Sequence, residues 1–155
     1  MAGEVAARLA ELGLTLPPAH PPVGTYVGWV ITGSQIWVSG QGPVWGQEVR
    51  HTGTLGADLD LEQGREAARL TALNLLAQAA EALAGDLDRI TRCLKIFGLV
   101  NADPGFTDAH RVIDGASDLI VDVLGPAGRH ARAAVTAPAL PMGIAVELDA
   151  VFEFA

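Results

Sequence analysis

The chain has 155 residues, the size of one domain able to close a single core. Half of its residues are hydrophobic but only 5% are aromatic, and 26 are alanine, so the apolar mass sits in small side chains that let backbones pack closely. Eighteen acidic against ten basic residues give a formal charge of −8, with Lys95 the sole lysine, which argues against nucleic acid as a partner because phosphate neutralisation needs a dense cationic surface.

Cys93 is the one cysteine, which removes any intrachain disulfide or cysteine-cluster metal site and fits a cytoplasmic chain. No apolar run approaches the roughly 20 residues of a membrane span. Glu4 and Arg8 interrupt the start where a signal peptide would need its apolar run. A mean hydropathy of +0.31 is high for a soluble monomer and predicts an oligomer that hides apolar surface between its subunits.

Residues 4–12 place Val5, Leu9 and Leu12 on one helical stripe, with Gly13 where a left-handed cap is wanted. Pro17-Pro18-Ala19-His20-Pro21-Pro22 can be neither helix nor central strand, so residues 1–22 read as a helix and linker ahead of a main body over 23–155. Tyr26–Thr32 and Gln35–Ser39, joined by Gly33-Ser34, predict a hairpin. Residues 40–59 are glycine-rich and predict loop with a short strand near Val44-Trp45.

Asp60 is a plausible N-cap for a long helix to Ala84 closed by Gly85, with Ala67, Leu70, Leu73, Ala77 and Ala80 predicting one buried face. A strand over Ile90–Val100, a turn at Asp103-Pro104-Gly105 and a helix over Thr107–Leu124 follow. Two strands finish the chain, Ala131–Thr136 and Ile144–Phe154. The last alternates Ile144, Val146, Leu148, Ala150, Phe152 and Phe154 against Ala145, Glu147, Asp149, Val151 and Glu153. The order predicts an α+β layer, a mixed sheet with two helices on one face, whose other face meets water, a ligand or another subunit.

Arg132 lies among small apolar neighbours, where a partly desolvated guanidinium needs an anion. The anion is either an internal carboxylate, Glu147 or Asp149 of the final strand, expected to lie adjacent, or the carboxylate of a substrate, which arginine matches with two parallel hydrogen bonds. Glu147 is either a polar residue on a wet face or a group that orients water as acid or base. Tyr26 reads equally as hairpin-edge packing or as a hydroxyl in a pocket. His20, His51, His110 and His130 show no metal-ligand spacing, so no metal site is expected, and Cys93 reads as a core thiol. Ser39-Gly40-Gln41-Gly42-Pro43 matches no phosphate-loop pattern and opens no helix; glycine there allows close approach of a small ligand or a neighbouring chain.

The stretch Gly128-Arg129-His130-Ala131-Arg132-Ala133-Ala134-Val135, followed by Leu140-Pro141 and Ala145-Val146-Glu147-Leu148-Asp149-Ala150, resembles the C-terminal signature of the RidA (YjgF) family. Gly24-Thr25-Tyr26-Val27 and Ser39-Gly40-Gln41-Gly42-Pro43-Val44 resemble its N-terminal blocks, so the likeness covers roughly residues 20–155. Members are called reactive intermediate deaminases or, by older labels, endoribonuclease L-PSP or translation inhibitor proteins.

The resemblance implies a chorismate-mutase-like fold and a homotrimer with a central barrel, with clefts between subunits for small carboxylate-bearing molecules. It implies hydrolysis of reactive imines and enamines to 2-oxo acids and ammonia, without a cofactor. The alternative is a trimeric binder of small carboxylates that does not turn over. By resemblance Arg132 holds the substrate carboxylate and Glu147 positions the attacking water. Tyr26, Ser39, Gly40 and Ala134 are the substrate-contacting positions, Ala134 through its backbone. Ala134 stands where deaminating members carry cysteine and His110 about where they carry asparagine, and the N-terminal helix with its proline linker marks a longer branch.

Overall fold

The computed structural model describes residues 3–155. The first helix, α1 (Glu4–Glu11), has no side-chain cap of its own. Its free amides are taken by Asp88, from a 3-10 turn far along the chain. Glu4 N donates to Asp88 Oδ2 at 2.9 Å and Val5 N donates to Asp88 Oδ1 at 2.8 Å. Leu9 on the inner side of α1 is buried in the main core.

Strands β1 (Trp29–Thr32) and β2 (Gln35–Gln41) form the expected hairpin, with Gly33 at a φ of +56°. The first strand begins three residues later than its β-rich composition predicts. Ser39 donates from its amide to Gly28 O and from its hydroxyl to Val27 O, so residues 26–28 are tied down outside the regular ladder. Next, β3 (Val44–Trp45), anticipated in sequence, pairs with β4 (Glu48–Val49), which was not.

Helix α2 (Leu61–Ala82) starts at a capping box: Gln63 N donates to Asp60 Oδ1 at 2.8 Å, and Asp60 N donates to Gln63 Oε1 at 2.9 Å. The expectation of one buried face is corrected, because every residue from Leu70 to Ala79 is buried. The helix rests on the sheet and against α3 (Ala109–Leu124), and the N-terminal segment and the β3 loop close over its remaining side. Gln78 Nε2 donates to His20 O at 2.8 Å and Asn74 Nδ2 to Val44 O at 2.8 Å, so these two buried polar residues of α2 tether backbone rather than face water. At the α2–α3 crossing a Cβ on Gly115 would stand 2.4 Å from Arg65 O, so only glycine permits this approach.

The five-stranded sheet runs β1-β2-β7-β5-β6, with β5 (Ile90–Asn101), β6 (Ala131–Ala137) and β7 (Val146–Phe154). It is mixed: β5 is parallel to β6 and antiparallel to β7. The expected adjacency of β6 to the final strand is therefore overturned, since β5 lies between them and β6 is an edge strand.

Along β7, Val146, Leu148, Ala150 and Phe152 are at most 1% exposed and face the helices, while Glu147 and Asp149 alternate to the other face. On that face Val30, Trp37 and Val135 stay 52%, 53% and 44% exposed, an apolar surface unusual for an isolated chain. Cys93 is fully buried and its thiol is pushed up to about 12 by burial, as befits a core thiol. No helix among the described residues is long and apolar enough to cross a membrane.

Candidate functional site

A β-bulge shapes the first part of the site. Val38 pairs with Ala150 and Gln41 with Leu148, so Ser39 and Gly40 together face the single residue Asp149. Bulges of this kind bend a strand and re-aim what lies beside it. Here it brings the bare Cα of Gly40 over the Glu147 carboxyl: a Cβ on Gly40 would lie 3.2 Å from both Glu147 Cδ and Oε1.

Tyr26 arrives from the segment before β1, with its hydroxyl accepting from Val23 N at 3.3 Å. These residues line one pocket of about 110 Å³, closed by apolar side chains that include Val44, Met142 and Ile144. Three of the residues singled out in sequence, Tyr26, Gly40 and Glu147, thus meet in one place.

Glu147 is half-buried there, and its carboxyl is pushed above its ordinary value, first by burial and then by repulsion from Asp149 two residues on. A carboxyl poised to hold a proton more readily than usual is suited to giving and taking one.

Arg132 is elsewhere. In register with Ile96, it points to the helix side of the sheet, whereas Glu147, in register with Leu99, points to the open side. Its Nη1 donates to Asp114 Oδ1 at 2.8 Å and to Ser117 Oγ at 3.1 Å, and its Nη2 donates to His110 O at 3.3 Å, all on α3. The internal partner expected in sequence was Glu147 or Asp149. It is Asp114, because β5 separates β6 from β7. Nor does the chain leave this guanidinium unneutralised.

The pairing does not seal it off. The side chain is 22% exposed and borders a shallow pocket with Arg129, His130 and Ser117. His130 is braced in turn by Gly128 O at 2.6 Å and Ser117 Oγ at 2.9 Å, and burial, with Arg132 adding repulsion, holds it below the ordinary histidine value.

The other candidates take supporting places. Ser39 is outside the pocket, its hydroxyl committed to Val27 O at 2.6 Å, where it secures the segment carrying Tyr26. Ala134, in register with Gly98, is half-buried against the core rather than in the pocket of Glu147. His110 meets Arg132 through its backbone carbonyl. Sequence reasoning missed His20 and Met142 as pocket residues. For His20 there was a signal: it is the one side chain with hydrogen-bonding groups in a run otherwise made of proline and alanine.

The family model "YjgF/chorismate_mutase-like, putative endoribonuclease" matches residues 6–155. The chain belongs to this YjgF family. Its fold is the chorismate-mutase-like α+β fold that the resemblance implied, and the match includes most of α1. Protein TCP17 of Trypanosoma cruzi is 48% identical over 152 residues, covering 97% of this chain and 94% of that one.

Among solved structures, the protein Atu1372 of unknown function from Agrobacterium tumefaciens aligns with a TM-score of 0.92 at 45% identity, covering 98% of this chain and 93% of its own. A "putative endoribonuclease" from Shewanella oneidensis aligns with a TM-score of 0.93 at 35% identity, covering 97% and 99%. Likeness to these two structures therefore extends over the N-terminal helix as well as the sheet.

Proposed function

We propose that this YjgF protein hydrolyses reactive 2-imino and enamine acids of the 2-aminoacrylate type to 2-oxo acids and ammonia, in clefts between the subunits of a homotrimer. The observation that carries the reading is the pocket of Tyr26, Gly40 and Glu147, where a half-buried carboxyl with a raised proton affinity faces a small, largely apolar space. An enamine first takes a proton at its outer carbon and gives one up from nitrogen to become the imine. Water adds to the C=N carbon as the C=N electron pair moves to nitrogen, which takes up one of the water protons. The remaining hydroxyl proton then passes to nitrogen as the C–N bond breaks and ammonia leaves. Glu147 is placed to orient that water and pass the proton. Little more is required, since C=N hydrolysis is intrinsically easy and holding the reactants in line supplies much of the acceleration.

Arg132 is the clamp for the substrate carboxylate. Because Arg132 and Glu147 lie on opposite faces of one sheet, they serve one ligand only if they come from two chains. The edge position of β6 and the uncovered apolar face around Trp37 support such an assembly. TdcF of E. coli, alike in fold at 22% identity, has been crystallised with bound serine, a small carboxylate-bearing molecule. Endoribonuclease activity, which the family's older label suggests, needs a basic groove that a chain of charge −8 does not suggest.

The reading is tested by following loss of 2-aminoacrylate and longer imines with purified protein. Acceleration over buffer that is lost in Arg132→Ala is expected; no acceleration, or an Arg132→Ala variant as fast as wild type, contradicts it. A second reading, a trimeric binder of small carboxylates without turnover, is favoured by the Asp114 ion pair that already occupies Arg132 and by Ala134 in place of the family's cysteine. Calorimetry showing Arg132-dependent binding of 2-oxobutyrate with no imine hydrolysis decides for it.

A further inference from the structure

The pocket of Glu147 has one more polar wall that the family pattern does not supply. His20 belongs to the proline-bounded segment ahead of β1 and lines the same pocket as Tyr26, Gly40 and Glu147. It is held at two points. Its backbone carbonyl accepts from Nε2 of Gln78, a side chain 1% exposed on the central helix, at 2.8 Å. Its ring Nδ1 lies 2.8 Å from Gly46 O.

A carbonyl oxygen only accepts, so Nδ1 carries the proton of that bond, and in the neutral ring Nε2 bears the lone pair. Pro17, Pro18, Pro21 and Pro22 stiffen the segment on both sides, so ordering the ring for a ligand costs little further entropy. Of the remaining walls, Val23, Val44, Pro141, Met142 and Ile144 are apolar, and the buried Gln41 has its amide nitrogen committed to Ser39 O at 3.1 Å.

Building on the imine-hydrolysis reading, we propose that His20 Nε2 accepts a hydrogen bond from the substrate and makes the pocket selective for a 2-substituted acid carrying an N–H or O–H on its second carbon beside a short aliphatic side chain. Imines, enamines and the tetrahedral adduct of water all carry such a donor. The 2-oxo acid product does not, so the same contact that holds substrate and adduct is absent once ammonia has left, and release of product is favoured.

The test compares binding of 2-hydroxybutyrate and 2-oxobutyrate by calorimetry, alongside imine loss, in wild type, His20→Asn and Arg132→Ala. In His20→Asn the amide nitrogen can take the place of Nδ1 opposite Gly46 O, while no acceptor remains in the place of Nε2. Wild type is expected to bind the hydroxy acid about threefold to tenfold more tightly than the oxo acid, the worth of one neutral hydrogen bond. His20→Asn is expected to bind both alike with an unchanged melting temperature.

In wild type the His20 ring nitrogen signals should shift with 2-hydroxybutyrate and not with 2-oxobutyrate, which a merely structural ring would not do. If both acids bind through Arg132 and the preference persists in His20→Asn, the role of His20 is overturned while the imine-hydrolysis reading stands. If wild type binds neither acid and does not accelerate imine loss, the underlying reading fails and the role of His20 fails with it.

Discussion

Arg132 Nη1 lies 2.8 Å from Asp114 Oδ1, so the guanidinium at the edge of the sheet is already neutralised by the helix packed above it. The pair is not fully buried, with Arg132 22% and Asp114 43% exposed, so solvent screening keeps its worth below about 1 kcal/mol. An incoming carboxylate competes with Asp114 for the same charge. Asp114→Asn, which keeps an oxygen for Nη1 but removes the charge, is therefore expected to tighten binding of 2-oxobutyrate by up to about fivefold at little cost in stability. Calorimetry checks this, and unchanged or weaker binding contradicts a clamp at Arg132.

Gly40 and Glu147 are linked by space rather than by a bond. A methyl group at position 40 would stand 3.2 Å from the Glu147 carboxyl, which must then give way by a few tenths of an ångström. Gly40→Ala is expected to lower kcat for imine loss by about tenfold, in keeping with the sensitivity of catalysis to small misplacements. The melting temperature should hardly move, because the displaced atoms are the flexible end of a side chain.

The proton affinity of Glu147 leaves a trace in stability. Burial and then Asp149 raise its folded value above the unfolded one, so between the two values the folded chain holds the extra proton. Stability from this group therefore falls as pH rises through that window, and the loss is complete above the folded value. Glu147→Gln is expected to melt at a higher temperature than wild type at pH 7, with the advantage vanishing below about pH 4, where the carboxyl is protonated in both states. Thermal unfolding at a series of pH values checks this; a variant less stable than wild type at pH 7 contradicts it.

Asp88 caps α1 from 83 and 84 residues away, taking the amides of Glu4 and Val5. Asp88→Ala is expected to cost about 1 kcal/mol, as loss of an N-cap does, and to lower the melting temperature by roughly 2–4 °C. Faster hydrogen exchange should be confined to the α1 amides, and unchanged protection there contradicts the capping role.

The parts of the fold written in local pattern were legible in the sequence. Asp60 announces the start of α2, Gly33-Ser34 the first hairpin, and the alternation from Val146 to Phe152 a strand with one face in the core. What depends on contacts distant in sequence was not. Asn74 and Gln78 look like polar punctuation on a helix, and only the folded chain shows them holding Val44 and His20, which is why the burial of α2 all round went unseen.

The same holds for the site. Tyr26, Gly40 and Glu147 could be proposed together from the residues and their resemblance. The partner of Arg132 could not, because nothing local states that β5 is inserted between β6 and β7. His20 was hidden by its setting, since a proline-rich segment reads as a linker until it is seen closing a pocket.

If one cleft takes Arg132 from one subunit and Glu147 from the next, mixing two inactive variants must restore activity. Arg132→Ala and Glu147→Gln are each expected to be inactive in imine hydrolysis alone. When the two variants are coexpressed in equal amounts, about a quarter of the clefts of a randomly mixed closed ring combine both native side chains, and activity should return to about a quarter of wild type. No recovery in mixed assemblies, or full activity in either variant alone, would show that these two residues do not serve one ligand across a subunit boundary.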